Sequence, residues 1–421
     1  MKYAIVGFGT AGYHALKAIR TQDPKGEIDV YTNTSMPPYN PMLTTYYAVG
    51  KLEYEGMFPF GSLEAIQKEF PFELHQEEVI KVHSEEHSVE TANGQKEYDR
   101  ILIATGARAF APPVKGLKPE NAYLMRTVED AQRLKERLQQ GDVKNAIVVG
   151  ASMVGIKVVE VLQKQGINTW LLDLAPYIFP LAAYPQVAQV IQERVEQQGV
   201  HLKFSVTIDH MEEEDGQQIA VLTDGSRIPT DIVGLCIGTR TNTQVVDEKI
   251  ALGKGIIVDQ HMQTNVPGIY AAGDCCEGNN LENGQTQLIG LWANANRQGT
   301  TAGNNMAGQE MVYEGNILHN ITRFMEMDFI GFGDNRIEGE VLEYGTLGKG
   351  MYIRLVLKDH RIAGANILDN CSISGIVKNY MLRLFGGDTG KLPVYQRAAL
   401  ESAGLSSAFL DELEGKIHGC H

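Results

Sequence analysis

Two glycine-rich turns, 143 residues apart, constrain this chain more than any other feature of its sequence. The first follows the apolar run 3–6, precedes a helical stretch at 13–20, and contains Gly7, Gly9, Thr10, Ala11 and Gly12. The second follows the apolar run 146–149, precedes a helical stretch at 156–165, and contains Gly150, Ser152, Met153, Val154 and Gly155. A buried strand, a glycine turn and a helix N-terminus together bind pyrophosphate, because backbone N–H groups approach the anion and the helix dipole favours it. The sequence therefore predicts two dinucleotide-binding folds in one chain.

Ser152 occupies the place of the middle glycine in the second turn. Because serine adds a small side chain, we expect a pyrophosphate to fit there less closely than at the first turn. One such turn alone is weak evidence, since glycine turns before helices are common, but two in strand-to-helix context are much stronger.

Two further segments argue against ordinary strand-to-helix turns. Residues 101–106 end in Ala104, Thr105 and Gly106, and residues 264–274 end in Gly273 and Asp274. An aspartate carboxylate at the end of a strand can accept hydrogen bonds from a polyol chain, and the glycine before it permits close backbone approach. These segments indicate a bound flavin dinucleotide.

The A-T-G segment at 104–106 and the T-x-x-P-x-I-Y-A-x-G-D segment at 264–274 resemble those of the pyridine nucleotide-disulfide oxidoreductase superfamily, over about residues 1–320. The resemblance implies FAD in the first fold and NAD(H) in the second. The residues implied to bind FAD are Gly7, Gly9, Thr10, Ala11, Gly12, Asn33, Val79, Ala104, Thr105, Gly106, Gly273, Asp274 and Trp292. Those implied to bind NAD(H) are Gly150, Ser152, Met153, Val154, Gly155, Asp173 and Gly238.

A narrower likeness lies in the segments 37–40 and 291–295, with Gln298 and Gly299. These segments are similar to those of the reductases that serve rubredoxin, ferredoxin-type partners or nitrite reductase modules. That likeness implies a rubredoxin or iron–sulfur protein as electron acceptor and places Trp292 beside the flavin ring. An alternative is that Trp292 only packs the domain core. Such reductases carry a basic residue where this chain has Asn40, Pro41 and Met42, so the flavin edge is expected to lack a cationic neighbour there.

Two positions decide how each ribose is held. Asp173 follows Gly155 by 18 residues, at the end of a predicted strand, where a carboxylate grips the ribose hydroxyls. Because Asp173 would repel a 2′-phosphate and residues 174–178 contain no arginine, we expect NADH to be preferred over NADPH. The alternative is that Asp173 caps a loop. In the flavin fold the corresponding strand ends in Thr32 and Asn33, so we expect weaker ribose binding by Asn33.

Lys157 is a second departure from the superfamily, whose members commonly place a glutamate there, close to where nicotinamide stacks on flavin. Lys157 reverses that charge, and Glu160, one helical turn further on, would pair with it in a plain surface contact. Either arrangement weakens the expectation of efficient flavin reduction by NADH.

The cysteines exclude one class of mechanism. Members of the superfamily that reduce disulfides or peroxides carry a reactive cysteine soon after the second strand of the flavin fold, but residues 39–47 contain none. We therefore predict catalysis without a redox-active disulfide. Cys275 and Cys276 are predicted to be free and buried, because adjacent cysteines bond only with strained geometry. Cys371 is predicted to fill the core of a helical stretch and Cys420 to lie in a frayed terminus. No metal site is predicted.

The predicted fold class is α/β, with two Rossmann-like dinucleotide-binding domains and an α+β C-terminal domain. Predicted limits are 1–112 with 247–317 for the FAD domain, 113–246 for the NAD domain and 318–421 for the C-terminal domain, which in many members supplies a dimer interface. The formal charge of −15 argues against binding nucleic acid or anionic membranes. No apolar run reaches the length of a membrane span, and the first glycine turn leaves no room for a cleaved leader, so a cytoplasmic protein is expected.

Three functions stay open at this point. The first is an NADH-dependent FAD oxidoreductase that passes electrons to a partner carrier protein. The second is an NADH oxidase, or a reductase of a quinone or other small acceptor. The third is a flavin-bearing redox-sensing or assembly subunit, in which Ser152 and Lys157 signal weakened NADH turnover.

Overall fold

The computed structural model describes residues 1–388 and 390–419. The first quarter of the chain contains β1 (Lys2–Val6), α1 (Thr10–Gln22), β2 (Glu27–Thr32), α2 (Thr44–Ala48), α3 (Leu63–Glu69), β3 (Glu73–Gln76), β4 (Val79–His83), β5 (Ser88–Thr91), β6 (Gly94–Glu97), β7 (Arg100–Ile103) and β8 (Ala107–Ala109). Then follow β9 (Ala122–Tyr123), α4 (Val128–Gln139), β10 (Asn145–Val149), α5 (Met153–Lys164), β11 (Asn168–Asp173), α6 (Pro185–Gln197), β12 (His201–Phe204), β13 (Ile208–Glu214), β14 (Gln217–Leu222), β15 (Arg227–Pro229), β16 (Ile232–Leu235) and β17 (Thr239–Thr241).

The rest of the chain begins with β18 (Ile269–Ala271), β19 (Glu277–Asn279), β20 (Thr286–Leu288) and α7 (Trp292–Met306). It continues with β21 (His319–Phe324), β22 (Met327–Gly333), β23 (Glu340–Thr346), β24 (Lys349–Lys358), β25 (Arg361–Leu368), α8 (Ser374–Phe385), α9 (Val394–Ser402) and α10 (Ser407–His418). None of these described helices is both long and apolar enough to cross a membrane.

The first large sheet has five parallel strands in the order β18-β7-β1-β2-β3. Val6 pairs with both Tyr31 and Ile103, so β1, β2 and β7 end at one edge of the sheet. Ala271 pairs with Ile103, which brings the end of β18 to the same edge although it lies far along the chain. The first glycine turn, the A-T-G segment and Asp274 therefore follow neighbouring strands.

The second large sheet is also parallel, in the order β12-β11-β10-β16-β9. Val149 pairs with Leu172 and with Leu235, so the second glycine turn and Asp173 begin at one edge. The predicted pair of Rossmann-like folds is confirmed. The predicted domain limits stay a prediction.

Helix α7 packs along α1 at very short range. A Cβ atom on Gly299 would lie 2.2 Å from the carbonyl oxygen of Ala11, and one on Gly303 would lie 2.6 Å from that of Ala15. Glycine is therefore required at both positions. Because the two helices run in the same direction, the first turn of α7, with Trp292, extends past the start of α1.

The smaller sheets complete the architecture. Strands β4, β5 and β6 form an antiparallel meander, and β13, β14 and β15 form a second. The C-terminal part has an antiparallel sheet in the order β21-β22-β25-β24-β23, whose core includes residues of α8 and α10. The predicted α+β character of this part is confirmed.

Several helix boundaries differ from those predicted. Helices α1 and α5 begin at Thr10 and Met153, three residues before the predicted starts, because each helix begins inside its glycine turn. At the start of α4, Thr127 is the N-cap and forms a capping box with Asp130. Cys371 lies half-buried in a single 3₁₀ turn ahead of α8, and not inside a helix as expected.

Candidate functional site

Backbone packing requires two of the glycines in the first turn. Gly7 has a φ of +99°, and a Cβ there would lie 2.4 Å from the carbonyl oxygen of Ala104. A Cβ on Gly12 would lie 2.3 Å from the carbonyl oxygen of Gly7. Gly9 differs, because nothing lies within 4 Å of the position that its Cβ would take. The chain therefore leaves open space beside the start of α1.

The start of α1 also leaves hydrogen-bonding groups without partners. Gly9 is the N-cap residue, and no side chain caps the helix. The side-chain Oγ1 of Thr10 is buried and has no hydrogen-bond partner, while Ala11 packs beneath it in the core. A phosphate group in the open space would accept from these donors, so the first turn fits the pyrophosphate of a dinucleotide.

Asp274 forms an ion pair that the sequence did not predict. Its Oδ2 accepts a hydrogen bond from Nη2 of Arg126 at 2.6 Å, and both side chains are mostly buried. Arg126 also donates from Nε to the carbonyl oxygen of Ala107. Gly273, with a φ of +85°, donates its N–H to Oε1 of Gln298 at 2.9 Å. The carboxylate is thus fixed at the strand edge, with Oδ1 available to a ligand.

Arg126 could have been noticed from its position. It immediately precedes Thr127, the N-cap of α4, so the cap fixes the backbone that carries it. Tyr39, from the P-P-Y-N segment, lies beside the same helix start, where burial and then Glu129 raise its pKa to about 12. Asn40 caps the following 3₁₀ turn by accepting from the N–H of Met42 at 3.0 Å.

Ala104, Thr105 and Gly106 lie where the chain passes from the first sheet toward the second. Oγ1 of Thr105 donates to the carbonyl oxygen of Asn242 at 2.6 Å, and Nδ2 of Asn242 donates to the carbonyl oxygen of Thr105 at 2.9 Å. Gly106 and Gly238 have φ values of +66° and +106°, and both have open space where a Cβ would lie. The two segments that connect the sheets are therefore joined by hydrogen bonds beside the A-T-G segment.

Trp292 begins α7 and belongs to a stacked aromatic array. Its ring lies 6.0 Å from that of Phe60 at an interplanar angle of 12°, and Phe60 lies 4.0 Å from Tyr13 at 18°. Nε1 of Trp292 is buried and has no hydrogen-bond partner. The ring thus packs in a cluster, as the alternative had it, and its place beside a flavin stays a prediction. The sequence did not point to Phe60 or Tyr13.

Asn33 and Val79 lie at the outer side of the first sheet. Asn33 is exposed and directly follows β2, and Val79 is buried at the start of β4. The structure places Asn33 at the strand end where a ribose is held in this fold, with an amide in place of a carboxylate.

The second turn repeats the packing of the first but not its open position. A Cβ on Gly150 would lie 2.3 Å from the carbonyl oxygen of Cys236, and one on Gly155 would lie 1.8 Å from that of Gly150. Ser152 is the N-cap of α5, and its Oγ accepts from the N–H of Gly155 at 3.2 Å and donates to the carbonyl oxygen of Cys236 at 3.1 Å. Met153 and Val154 form the first turn of that helix. The serine therefore occupies a donor that a bound pyrophosphate would use.

Asp173 lies at the end of β11, next to the second turn. Its Oδ2 accepts from the N–H of Ala151 at 2.6 Å, and its Oδ1 accepts from the N–H of Ala175 at 2.8 Å. The carboxylate therefore caps its own loop, as the alternative interpretation had it, and its contact with a ribose stays a prediction. A carboxylate has lone pairs beyond these two bonds, so both roles are compatible.

Lys157 does not make the plain surface contact that was the alternative to a place near the nicotinamide. Its Nζ lies 2.5 Å from Oε2 of Glu160, and the two side chains are only 13% and 9% exposed. Nζ also donates to the carbonyl oxygen of Arg323 at 2.8 Å and lies 4.8 Å from the centre of the Tyr46 ring. The expectation of a surface contact was wrong, because the C-terminal hairpin and α2 cover this part of α5. The pairing itself was predicted correctly.

The cysteines within residues 1–388 and 390–419 are all free. Cys275 and Cys276 are fully buried, and burial raises the pKa of both thiols. Burial likewise raises the pKa of Cys236 to about 12 and that of Cys371 to about 11. These groups are thiols and not thiolates at neutral pH. Cys420, for which we predicted a frayed terminus, lies outside the described residues.

One set of possible metal ligands occurs in the described chain, comprising Asp29, Glu73 and His75. Asp29 already lies 2.5 Å from Nζ of Lys96 and accepts from the hydroxyl of Tyr98 at 2.6 Å. The ammonium group occupies the place of a cation, so we assign no metal to this cluster.

Comparison with known proteins agrees with this geometry. The family model described as pyridine nucleotide-disulphide oxidoreductase matches residues 1–299. An NADH oxidase of Methanocaldococcus jannaschii is 27% identical over 341 residues, which cover 79% of this chain and 76% of the relative. The ferredoxin–NAD(+) reductase component of a 3-phenylpropionate/cinnamic acid dioxygenase from Photorhabdus laumondii is 29% identical over 309 residues, 73% of this chain and 77% of the relative.

Among solved structures, the water-forming NADH oxidase from Lactobacillus brevis, bound to NADH, superposes with a TM-score of 0.85 at 21% identity, covering 98% of this chain and 99% of that one. Its engineered variant bound to NADPH superposes with a TM-score of 0.86 at 21% identity, with the same coverage. At this level of identity the two structures establish the fold.

Proposed function

The chain belongs to the pyridine nucleotide-disulphide oxidoreductase family, whose members are flavoenzymes that bind FAD and NAD(H), and from that membership we propose that it passes electrons from NADH through FAD to a rubredoxin-like or iron–sulfur protein. FAD, when bound, accepts a hydride and releases electrons one at a time, which suits a one-electron carrier. The protein supplies positioning and electrostatics. The observation that carries the proposal is the combination of two dinucleotide turns with a segment 39–47 that has no thiol.

The proposed FAD ligands are the residues that the sequence indicated, together with Arg126. The open space at Gly9 and the unpaired Oγ1 of Thr10 would receive the pyrophosphate, and Asp274 would hold the polyol chain. Arg126 would orient the Asp274 carboxylate. Trp292 would present its unpaired N–H and its ring at the flavin edge.

The proposed NADH site uses the second turn and Asp173. The engineered NADPH-binding oxidase carries five substitutions, among them one of a glycine and one of an aspartate that lies 18 residues further on. Gly155 and Asp173 have the same spacing here. This supports Asp173 as the group that favours NADH over NADPH, because its carboxylate would repel a 2′-phosphate.

The proposed domain arrangement is 1–112 with 247–317 for FAD, 113–246 for NADH and 318–421 for the C-terminal domain. A carrier protein as acceptor is supported by the likeness to the ferredoxin–NAD(+) reductase component. The likeness to the Methanocaldococcus jannaschii NADH oxidase favours a second candidate, a direct reaction with dioxygen.

Anaerobic stopped-flow spectroscopy of the purified yellow protein separates these candidates. Fast reduction by NADH with slow reoxidation in air, and fast reoxidation by a rubredoxin or ferredoxin, is the expected result. Fast reoxidation by air alone would establish an oxidase. If NADH does not reduce the flavin while dithionite does, the redox-sensing or assembly function is the correct one, and the occupied donor at Ser152 would be its physical cause.

A further inference from the structure

A small crevice lies between α2, α5 and the loop after α2, and it extends along α5 from Lys157 to Lys164. Its lining includes Tyr46, Val49, Lys51, Lys157, Glu160 and Lys164. The hairpin between β21 and β22 closes its inner side, because Nζ of Lys157 donates to the carbonyl oxygen of Arg323. Three separate parts of the chain therefore meet around one group of lysines.

Both oxygens of the Glu160 carboxylate in this crevice already accept hydrogen bonds. Oε2 of Glu160 pairs with Nζ of Lys157 at 2.5 Å, and Oε1 pairs with Nζ of Lys164 at 2.6 Å. Oε1 also accepts from the N–H of Met325 at 3.3 Å. Glu326, in the exposed hairpin turn, adds a more distant negative charge that acts on Lys164. Three ammonium groups thus face one saturated and one distant carboxylate, a local positive charge in a chain whose formal charge is −15.

Lys51 is exposed, lines the crevice together with Lys164, and pairs with no carboxylate of the described residues. The neighbouring Lys164, followed by burial, lowers the pKa of Lys51. An ammonium group has three donors and no acceptor, so two charged lysines cannot satisfy each other. An oxyanion between them would accept from both and remove their repulsion.

The end of the crevice lined by Lys51 and Lys164 is distinct from the NADH site. Lys164 follows Gly155 by nine residues along α5, which separates them by about 13 Å at the rise of an α-helix. A pyrophosphate at the N-terminus of α5 therefore does not reach Lys51 or Lys164.

We propose that Lys51 and Lys164 form a binding site for a small oxyanion of the phosphate class, which bridges the loop after α2 to the end of α5. The ligand is either inorganic phosphate or the phosphate group of a monoester, since both offer the same oxygens. The site goes beyond the proposed electron transfer and can be measured without NADH or an acceptor, so its failure and that of the proposed function are distinguishable.

The test is isothermal titration calorimetry of the full-length flavoprotein with inorganic phosphate and, separately, with glycerol 2-phosphate, in chloride buffer at fixed ionic strength. The expected result is saturable binding at one site per chain. Binding of phosphate alone identifies the free ion, and binding of the ester alone identifies an organic phosphate. No saturable binding of either ligand would overturn the proposal.

Single substitutions locate the site. Lys51→Gln and Lys164→Gln each remove one charge-assisted hydrogen bond, so affinity should fall about tenfold or more. Lys68→Gln, on the exposed face of α3, changes the net charge equally and should leave affinity unchanged. Glu160→Gln removes the competing carboxylate and should strengthen binding. Equal affinity in the parent protein and in both lysine variants, or one-for-one displacement of phosphate by NADH, would contradict a separate site.

Discussion

The guanidinium group of Arg126 lies 2.6 Å from the carboxylate of Asp274, and 148 residues of sequence separate the two. Arg126 leads into α4, the first helix after the crossover, and Asp274 follows β18 in the first sheet. The pair therefore joins the two nucleotide-binding parts of the chain at the point where the flavin polyol is proposed to lie.

This pair predicts that two residues, and not one, control flavin retention. Asp274→Ala removes the polyol acceptor, and Arg126→Ala leaves the Asp274 carboxylate partly buried without its partner. Each should weaken FAD binding by roughly 10- to 100-fold. The measurement is the FAD dissociation constant from fluorescence titration of the apoprotein. Arg133→Ala is the matched control, because Arg133 lies further along α4 and its guanidinium donates to the backbone carbonyls of Ala122 and Pro119. Full flavin affinity in Asp274→Ala would refute the assignment.

The second prediction concerns the choice of nucleotide. Asp173→Asn removes the negative charge and keeps an acceptor for only one of the N–H groups of Ala151 and Ala175, which bind different carboxylate oxygens. NADH should bind about tenfold more weakly, and NADPH should bind more tightly because the repulsion of its 2′-phosphate is removed. The rates of flavin reduction by the two nucleotides should therefore become more similar. Rapid-mixing kinetics with each nucleotide provide the test. Equal reduction rates for the two nucleotides in the parent protein would show that Asp173 does not set the preference.

The third prediction uses the serine of the second turn. Ser152→Gly frees the N–H of Gly155 for the pyrophosphate and restores the open position seen at Gly9. NADH affinity should rise several-fold, corresponding to about 1 kcal/mol for one recovered hydrogen bond. The lost helix cap costs only a few tenths of a kcal/mol when glycine replaces serine. Ser152→Ala, which frees the same N–H but keeps a Cβ, should recover less. Unchanged affinity in both variants would show that the cap does not limit NADH binding.

A fourth prediction concerns stability and pH. Burial, and then repulsion from Asp334, raise the pKa of Glu282 to about 7, and its Oε1 is buried without a partner. A carboxyl group whose pKa is higher in the folded state stabilises fully below the unfolded pKa of 4.5, and this contribution is lost as pH rises through about 7. The free energy of unfolding of Glu282→Gln should therefore exceed that of the parent at pH 8. This difference between the two proteins should be up to about 3 kcal/mol larger at pH 8 than at pH 4.5.

Urea unfolding of both proteins at a series of pH values measures this difference. The exposed Glu310→Gln is a control for the loss of one carboxyl group. A stability difference between Glu282→Gln and the parent that stays constant from pH 4.5 to 8 would contradict the shift.

The fifth prediction counts electrons. One NADH, or two electrons from dithionite, should bleach the flavin completely without a long-wavelength thiolate-to-flavin band, because residues 39–47 contain no cysteine. Cys420→Ser tests the remaining thiol mechanism, since that residue belongs to the C-terminal part. Uptake of four electrons would establish a redox-active disulfide, and selective loss of dye reduction in Cys420→Ser would establish a thiol mechanism.

Local signals made most of the fold predictable. The glycine turns, the apolar strands before them and the Thr127 cap are each encoded within a few residues, and the structure confirms the elements that they predict. Ion pairs that depend on tertiary packing could not be predicted from the sequence. The Arg126–Asp274 pair joins distant segments, and the sequence offers many other partners for each charge.

For Lys157, the local sequence predicted its pairing with Glu160 but not the burial of the pair. Helical spacing predicted its contact with Glu160, because residues three apart share a helix face. The burial of that pair depends on Tyr46 from α2 and on the carbonyl of Arg323 in a hairpin 166 residues away. Nothing in the local sequence of α5 specifies either neighbour.

The burial of Cys275 and Cys276 affects how readily their thiols are oxidised by products of the flavin reaction. A reduced flavin exposed to air yields hydrogen peroxide, and peroxide attacks thiolates far faster than thiols. The raised pKa values keep both sulfurs protonated directly beside the segment that carries Asp274. The two thiols should therefore be oxidised slowly by hydrogen peroxide, even though they follow immediately after a proposed flavin ligand.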